Sequence, residues 1–295
     1  MSTVGDGYGS QYHLRCWVNG NQSSLDAHIE NAYRDLNLPP IDFIRWVSPI
    51  ESDEFRELAG MEYFSDGGRD DVVNSWSRFW PQSGRPQMWD GWAVVRFKDG
   101  TEEILVVEAK ANSLEFETPG TGSKGNSRTK ILRSLDETKA FLNVPTDAVW
   151  HETYYQFCNR LTALYFLNEQ VEVPSRLLMI YFIGDQFPDG RDCPQSQDAW
   201  ESLISKMHQA IKLPRGHRYS ARVIDVFPSV TSNHSHCCLG SICVWLFRRF
   251  IRLRLWVNSS GPRLQQRCRA SKTRTSWPGR PGLRQGHTAK PGLCP

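Results

Sequence analysis

Residues 89–111, WDGWAVVRFKDGTEEILVVEAKA, decide the fold. Two apolar runs rich in Val, Ile, Leu and aromatics flank Lys98-Asp99-Gly100, and a glycine-containing turn between such runs reads as a β-hairpin. Side chains two apart on a strand share a face, so Glu108 and Lys110 stand side by side. The place of Asp90 depends on the turn. A two-residue Asp99-Gly100 loop sets Asp90 opposite Ala109, with its carboxylate on the wrong face. A three-residue loop, with Lys98 and Asp99 in a type I turn and Gly100 left-handed as a G1 bulge, sets Asp90 opposite Glu108. Arg96 faces Glu102 in this register and Glu103 in the other, so the flanking charges favour neither. The bulged register is the one we expect, because it gives two acids and a lysine a joint use. Facing carboxylates repel unless a cation lies between them.

That use is metal-assisted phosphodiester hydrolysis. Two hard oxygen ligands suit Mg²⁺, with Mn²⁺ as an alternative, since Mg²⁺ keeps several waters and takes further oxygens from a substrate phosphate. Such a metal polarises the phosphoryl oxygen and lowers the pKa of a bound water. A neighbouring lysine orients that water and offsets charge on the phosphate.

Asp90, the intervening hairpin and Glu108-x-Lys110 resemble the PD-(D/E)xK nuclease superfamily signature, with Trp89 where the signature has proline. The run FWPQSGRPQMWDG, the EAKA segment and YYQFCNRLTALYFL extend the resemblance, to a bacterial branch of that superfamily, over about residues 10–230. The resemblance implies an α/β fold with a restriction-endonuclease-like core of αβββαβ type, a mixed central sheet flanked by helices. It implies Asp90 and Glu108 as metal ligands, Lys110 as the residue assisting the attacking water, and a nucleic-acid partner, DNA before RNA. It further implies a supporting glutamate on a first helix, for which Glu30 is the candidate metal ligand and Glu54 and Glu57 are rivals. A polar helix residue beside the active strands that helps place the phosphate belongs to the same pattern. Gln156, Asn159 and Arg160, at i, i+3 and i+4 on one helix face, match that role. Arg85, next to the site in sequence, reads as a further phosphate contact. The structural alternatives are an ordinary strand ion pair, a solvated helix glutamate and a polar cluster tying a helix to the sheet. A nuclease-fold module that binds nucleic acid or protein without cutting is the rival function.

The formal charge of +3 conceals a division. All 32 Asp and Glu precede residue 226, with 23 of the 35 Lys and Arg, a balance of −9; the remainder carries +12 and no acid. An acidic body lacks the global field of a non-specific nucleic-acid binder, so cutting would rely on a local basic strip and metal. Cys16, Cys158 and Cys193 show no paired spacing, which reads as a reduced cytoplasmic protein. The stretch MSTVGDGYGSQYH lacks the basic and apolar regions of a signal peptide, and no body segment is long enough to span a bilayer.

Elsewhere, periodicity predicts an edge strand over Tyr12–Val18 and a helix capped by Ser23 or Ser24 and ended by Pro39-Pro40. A strand over Phe43–Val47, a short acidic helix over Glu51–Leu58 and an apolar stripe over 69–80 follow. Residues 112–128 read as a mobile polar loop bearing Lys124, Arg128 and Lys130, before helices over 130–142 and Trp150–Asn168. A strand buried on both faces over Leu177–Ile183, a helix opened by Ser196 and a strand over Ala221–Phe227 complete an α/β body, residues 1–232. Residues 233–295, basic and rich in Pro and Gly, read as a disordered or frame-shifted tail. Within it, His234, His236, Cys237, Cys238 and Cys243 lack the spacing of a structural zinc site. The apolar run Ile242–Val257 holds four arginines. Deleting residues 233–295 is therefore expected to leave the thermal midpoint of the body unchanged in a calorimetric scan. A loss of several kcal/mol would mean that Ile242–Val257 packs as a real element.

Overall fold

At the hairpin, Gly100 takes φ +86°, and the turn closes through Gly100 N to Phe97 O and Phe97 N to Thr101 O, both 2.9 Å. Pairing then runs from Arg96 opposite Glu102 to Gly91 opposite Val107, which brings Asp90 level with Glu108. This is the bulged register, and Arg96 Nη1 meets Glu102 Oε1 at 2.9 Å within it.

The computed structural model describes residues 7–84 and 86–230. Arg85 and everything expected of residues 233–295, the His and Cys group and the apolar run included, lie outside the described residues. The elements begin with α1 (Ser10–Gly20), α2 (Gln22–Asp35), β1 (Ile41–Ser48), β2 (Leu58–Ala59), α3 (Glu62–Asp66) and α4 (Asp70–Phe79). They continue with β3 (Met88–Trp89), β4 (Gly91–Phe97), β5 (Glu102–Lys110), α5 (Gly125–Phe141) and α6 (Tyr155–Tyr165), the last running on as a π-helical turn over Phe166–Gln170. β6 (Ser175–Tyr181), α7 (Gln197–Ala210) and β7 (Val223–Val226) follow.

The fold is α/β, with a mixed five-stranded sheet in the order β1-β4-β5-β6-β7 and helices on both faces. β1, β4 and β5 pair antiparallel; β5, β6 and β7 pair parallel, each parallel step crossing over through helices as the geometry demands. α1 and α2 cover one face, packing on Val95, Leu105, Val107, Leu178, Ile180 and Ile224. The larger layer, α3 to α7, covers Trp92, Val94, Val106, Leu177 and Met179. Strands buried on both sides explain the near-continuous apolar runs of β4, β5 and β6. Cys158 and Cys193 are buried free thiols. Among the described residues no helix is long and apolar enough to cross a membrane.

Three expectations are corrected. Tyr12–Val18 lies in helix α1, not in an edge strand: Leu14, Trp17 and Val18, spaced by three and four, turn one stripe to the core. Glu51–Leu58 is no regular helix, because Glu54 and Phe55 take left-handed φ of 52° and 57° after a single 3₁₀ turn over Glu51–Asp53. The 112–128 segment is not all loop: after backbone bonds from Ser113 N to Asp192 O at 2.9 Å and Thr121 N to His151 O at 3.0 Å, its last residues are helical. Arg128 and Lys130 belong to α5, which begins five residues early, and Lys130 Nζ donates to Ser77 O at 3.0 Å.

Gly91 is where the sheet is tightest. A Cβ there would stand 2.9 Å from the Ser48 carbonyl oxygen on β1 and 3.3 Å from Val107 Cβ on β5. Gly91→Ala is expected to destabilise by about 1–3 kcal/mol, the range for overpacking, in urea unfolding. No loss would show that β1 moves aside freely.

Candidate active site

Alternation puts Glu108 and Lys110 on the α3–α7 face of β5, in line with Ile104 and Val106. Asp90 precedes β4 by one residue, and its Oδ2 accepts the Ala109 N–H at 2.8 Å just beyond the last paired residues of the two strands. Glu108 is 1% exposed, and both of its oxygens are occupied. Lys110 Nζ donates to Oε1 at 2.5 Å, and Arg160 Nε donates to Oε2 at 2.7 Å. Lys110 Nζ also donates to Gln156 Oε1 at 2.7 Å.

α6 delivers Gln156 and Arg160 together because one turn of helix separates them. Arg160 is 3% exposed. Its Nη2 donates to Met88 O at 2.5 Å, its Nη1 to Asn159 Oδ1 at 3.1 Å, and its guanidinium lies 4.5 Å from the centre of the Trp89 ring. Asn159 Oδ1 also accepts from Gln87 Nε2 at 3.0 Å. The expected phosphate-binding triplet therefore divides. Gln156 faces the cavity, while Arg160 and Asn159 are spent on holding Glu108 and the segment that leads into Asp90.

The cavity measures about 520 Å³ and is lined by Asp90, Glu108, Lys110, Glu115, Thr118 and Gln156, together with residues 8–12, Phe187 and Arg191. Glu115 was not singled out by any sequence pattern. Its Oε2 accepts the Ala111 N–H at 2.9 Å and its Oε1 accepts from Asn112 Nδ2 at 2.7 Å. Glu30 is exposed on α2, away from the lining residues, with Asp26 as a charged neighbour. Glu54 is exposed in its turn. The rival Glu57 is the acid that approaches the cluster: it is half-buried, bonded to Gln11, and feels the charges of Arg15, Glu108 and Arg160.

Electrostatics separate the two central acids. Burial and the neighbouring Glu108 charge push Asp90 up to about 8, against weaker pulls from Lys110 and the Ala109 N–H. Burial also works to raise Glu108, but Arg160 and Lys110 outweigh it and hold that carboxyl below its ordinary range. Burial raises Glu115 as well, with Lys110 opposing. The two acids therefore differ: Glu108 is held ionised by its cations, and Asp90, just before β4, resists ionisation.

No family model, curated protein or solved structure matches this chain. Among the described residues no cluster of three His, Cys, Asp or Glu is arranged as a metal cage. Asp90 and Glu108 are hard oxygen donors of the kind Mg²⁺ takes one or two of, but Glu108 would have to give up Lys110 or Arg160 to offer one.

Asp90 sets a pH signature. Its folded pKa of about 8 lies above the unfolded value of about 3.9, so the folded state keeps a proton that the unfolded chain releases. Its contribution to stability is full below the unfolded value and is lost as pH rises towards the folded one. Asp90→Asn removes that decline while leaving an oxygen for the Ala109 N–H. The melting temperature of the variant is expected to gain on wild type steadily between pH 5 and pH 8 in metal-free buffer. A gap independent of pH, or a large loss at pH 8, would contradict the assigned environment.

Proposed function

We propose that this protein is a Mg²⁺-dependent hydrolase of nucleic-acid phosphodiester bonds, DNA in preference to RNA, on a core of the PD-(D/E)xK restriction-endonuclease-like type. The observation that carries the reading is the convergence of Asp90, Glu108 and Lys110 on one cavity, in the register that a two-carboxylate and lysine site requires. Asp90 and Glu108 would hold the cation, with Mn²⁺ able to replace Mg²⁺. When bound, the metal supplies Lewis acidity towards a phosphoryl oxygen and a water of lowered pKa. The chain's own groups do the rest. Lys110 leaves Glu108 Oε1 and turns its ammonium to the attacking water, while Gln156, already its acceptor, keeps it oriented. Arg160 retains Glu108 Oε2 and fixes the carboxylate plane as Lys110 moves. Among the described cysteines Cys158 and Cys193 are free but Cys16, expected to be reduced like them, is disulfide-bonded, so cysteine usage favours no single redox compartment.

A second reading is a non-cutting module of the same fold that binds nucleic acid or a protein partner. It is favoured by the closed state of Glu108, whose two oxygens are both engaged by cations. Calorimetric titration of the full chain with Mg²⁺ and Mn²⁺ separates the two. The hydrolase reading expects binding heat that Asp90→Asn abolishes together with cleavage. It expects Lys110→Ala to keep most of that heat yet lose turnover on the order of a hundredfold or more. Absence of heat from wild type would leave the binding module. In that case Lys110→Ala, breaking a buried pair, should cost about 3–5 kcal/mol in a melt.

A further inference from the structure

Aromatic rings line the same cavity as the acids. Tyr8, Tyr12 and Phe187 all border it and remain partly exposed, unlike the rings of the core. The Tyr8 and Phe187 rings lie 4.8 Å apart at 58°, and the Arg191 guanidinium lies 4.2 Å from the centre of the Phe187 ring. This wall is anchored. Asp185, 2% exposed, accepts from the Gly9 N–H and pairs with His13 Nε2, each at 2.9 Å, and its Oδ1 also accepts the Gln186 N–H at 2.8 Å. The N-terminal segment is thereby fastened to the loop after β6 that carries Phe187.

Charge makes this wall poor at holding phosphate by itself. Asp90, Glu108 and Glu115 border the cavity, and Arg191 is already paired with Asp189. Arg191 lies over the Phe187 ring, so what the wall offers is the partly exposed Tyr8 ring and the uncovered part of Phe187, surfaces on which nucleobases stack with little regard for sequence. A volume of about 520 Å³ is that of a small-ligand pocket and is enough for one nucleotide. Resting on the phosphodiesterase reading, we infer that Tyr8 and Phe187 form a base-stacking platform, so that the substrate enters as a single-stranded or extruded nucleotide. The platform belongs to binding and acts before any chemistry.

The test uses the full chain without metal, at salt high enough to screen the basic tail, and fluorescent oligonucleotides as single-stranded DNA, single-stranded RNA and duplex DNA of one sequence. Phe187→Leu keeps apolar volume but removes the π-face, Tyr8→Ala removes the second ring, and Phe187→Trp restores stacking. Wild type should prefer single strands over duplex. Phe187→Leu and Tyr8→Ala should each weaken single-strand binding roughly 5- to 100-fold, with the salt dependence unchanged, and Phe187→Trp should recover it. Equal affinities for wild type and Phe187→Leu at matched melting temperature would overturn the platform, as would duplex binding that is as tight and falls equally. The DNA and RNA arms show which sugar the platform accepts. Because binding is read without metal, a failure here is distinct from absence of Mg²⁺ heat, which would remove only the hydrolase reading.

Discussion

A carboxylate sealed from water governs this structure. Glu108 sits on a central strand at 1% exposure, and an ion in that position costs several kcal/mol unless its charge and lone pairs are met. Arg160 and Lys110 meet them from two directions. Lys110 does so from the same strand, two residues on. Arg160 must be brought by α6 across the sheet face, and its remaining donors then fasten Met88 and Asn159, while its plane covers Trp89. The turn that carries Asp90 is thus built on the partner of Glu108. Among the described residues Asp90 has no cation of its own, and burial, with the Glu108 charge beside it, raises its pKa.

A second buried acid shows what a purely structural arrangement looks like in the same sheet. Glu103, on the opposite face of β5, accepts from the Tyr33 hydroxyl and from Arg176 Nε at 2.7 Å, and Arg176 lies 5.5 Å from the centre of the Tyr33 ring. That trio joins α2, β5 and β6. The Glu108 cluster differs in bordering a cavity that also exposes Asp90, Glu115 and Gln156. Equal burial and equal arginine pairing therefore support different readings, and the additional acids and open space make the difference.

Much of the frame was legible in the sequence because the relevant signals are local. Alternation sets Glu108 and Lys110 on one face, whereas both turn lengths fit the sequence and the bulged register is expected for the joint use it gives; in the structure left-handed Gly100 fixes it. Ser196 opens α7 by accepting the Ala199 N–H, as a cap of that type should. What escaped depends on distant partners. Helical spacing puts Arg160 in a polar patch, to which the resemblance lends a phosphate role, and its actual acceptor, 52 residues earlier, leaves no local signal. Glu30 and Glu57 look alike in sequence, and only packing sets one in solvent and the other beside Arg160. Glu115 had no pattern to mark it, because its acceptor role serves backbone groups in an irregular turn. The helix at Ser10–Gly20 escaped because a short apolar run fits either period when its neighbours in space are unknown.

The central claim is that Asp90 and Glu108 form a cation site that Lys110 guards. Anomalous diffraction at the manganese edge, from crystals of the full chain grown with Mn²⁺, tests it most directly. The account predicts a peak within bonding distance of both carboxylates, with Lys110 Nζ withdrawn from Glu108 Oε1 and Arg160 still on Oε2. An absent peak with the Lys110–Glu108–Arg160 contacts unchanged would contradict it.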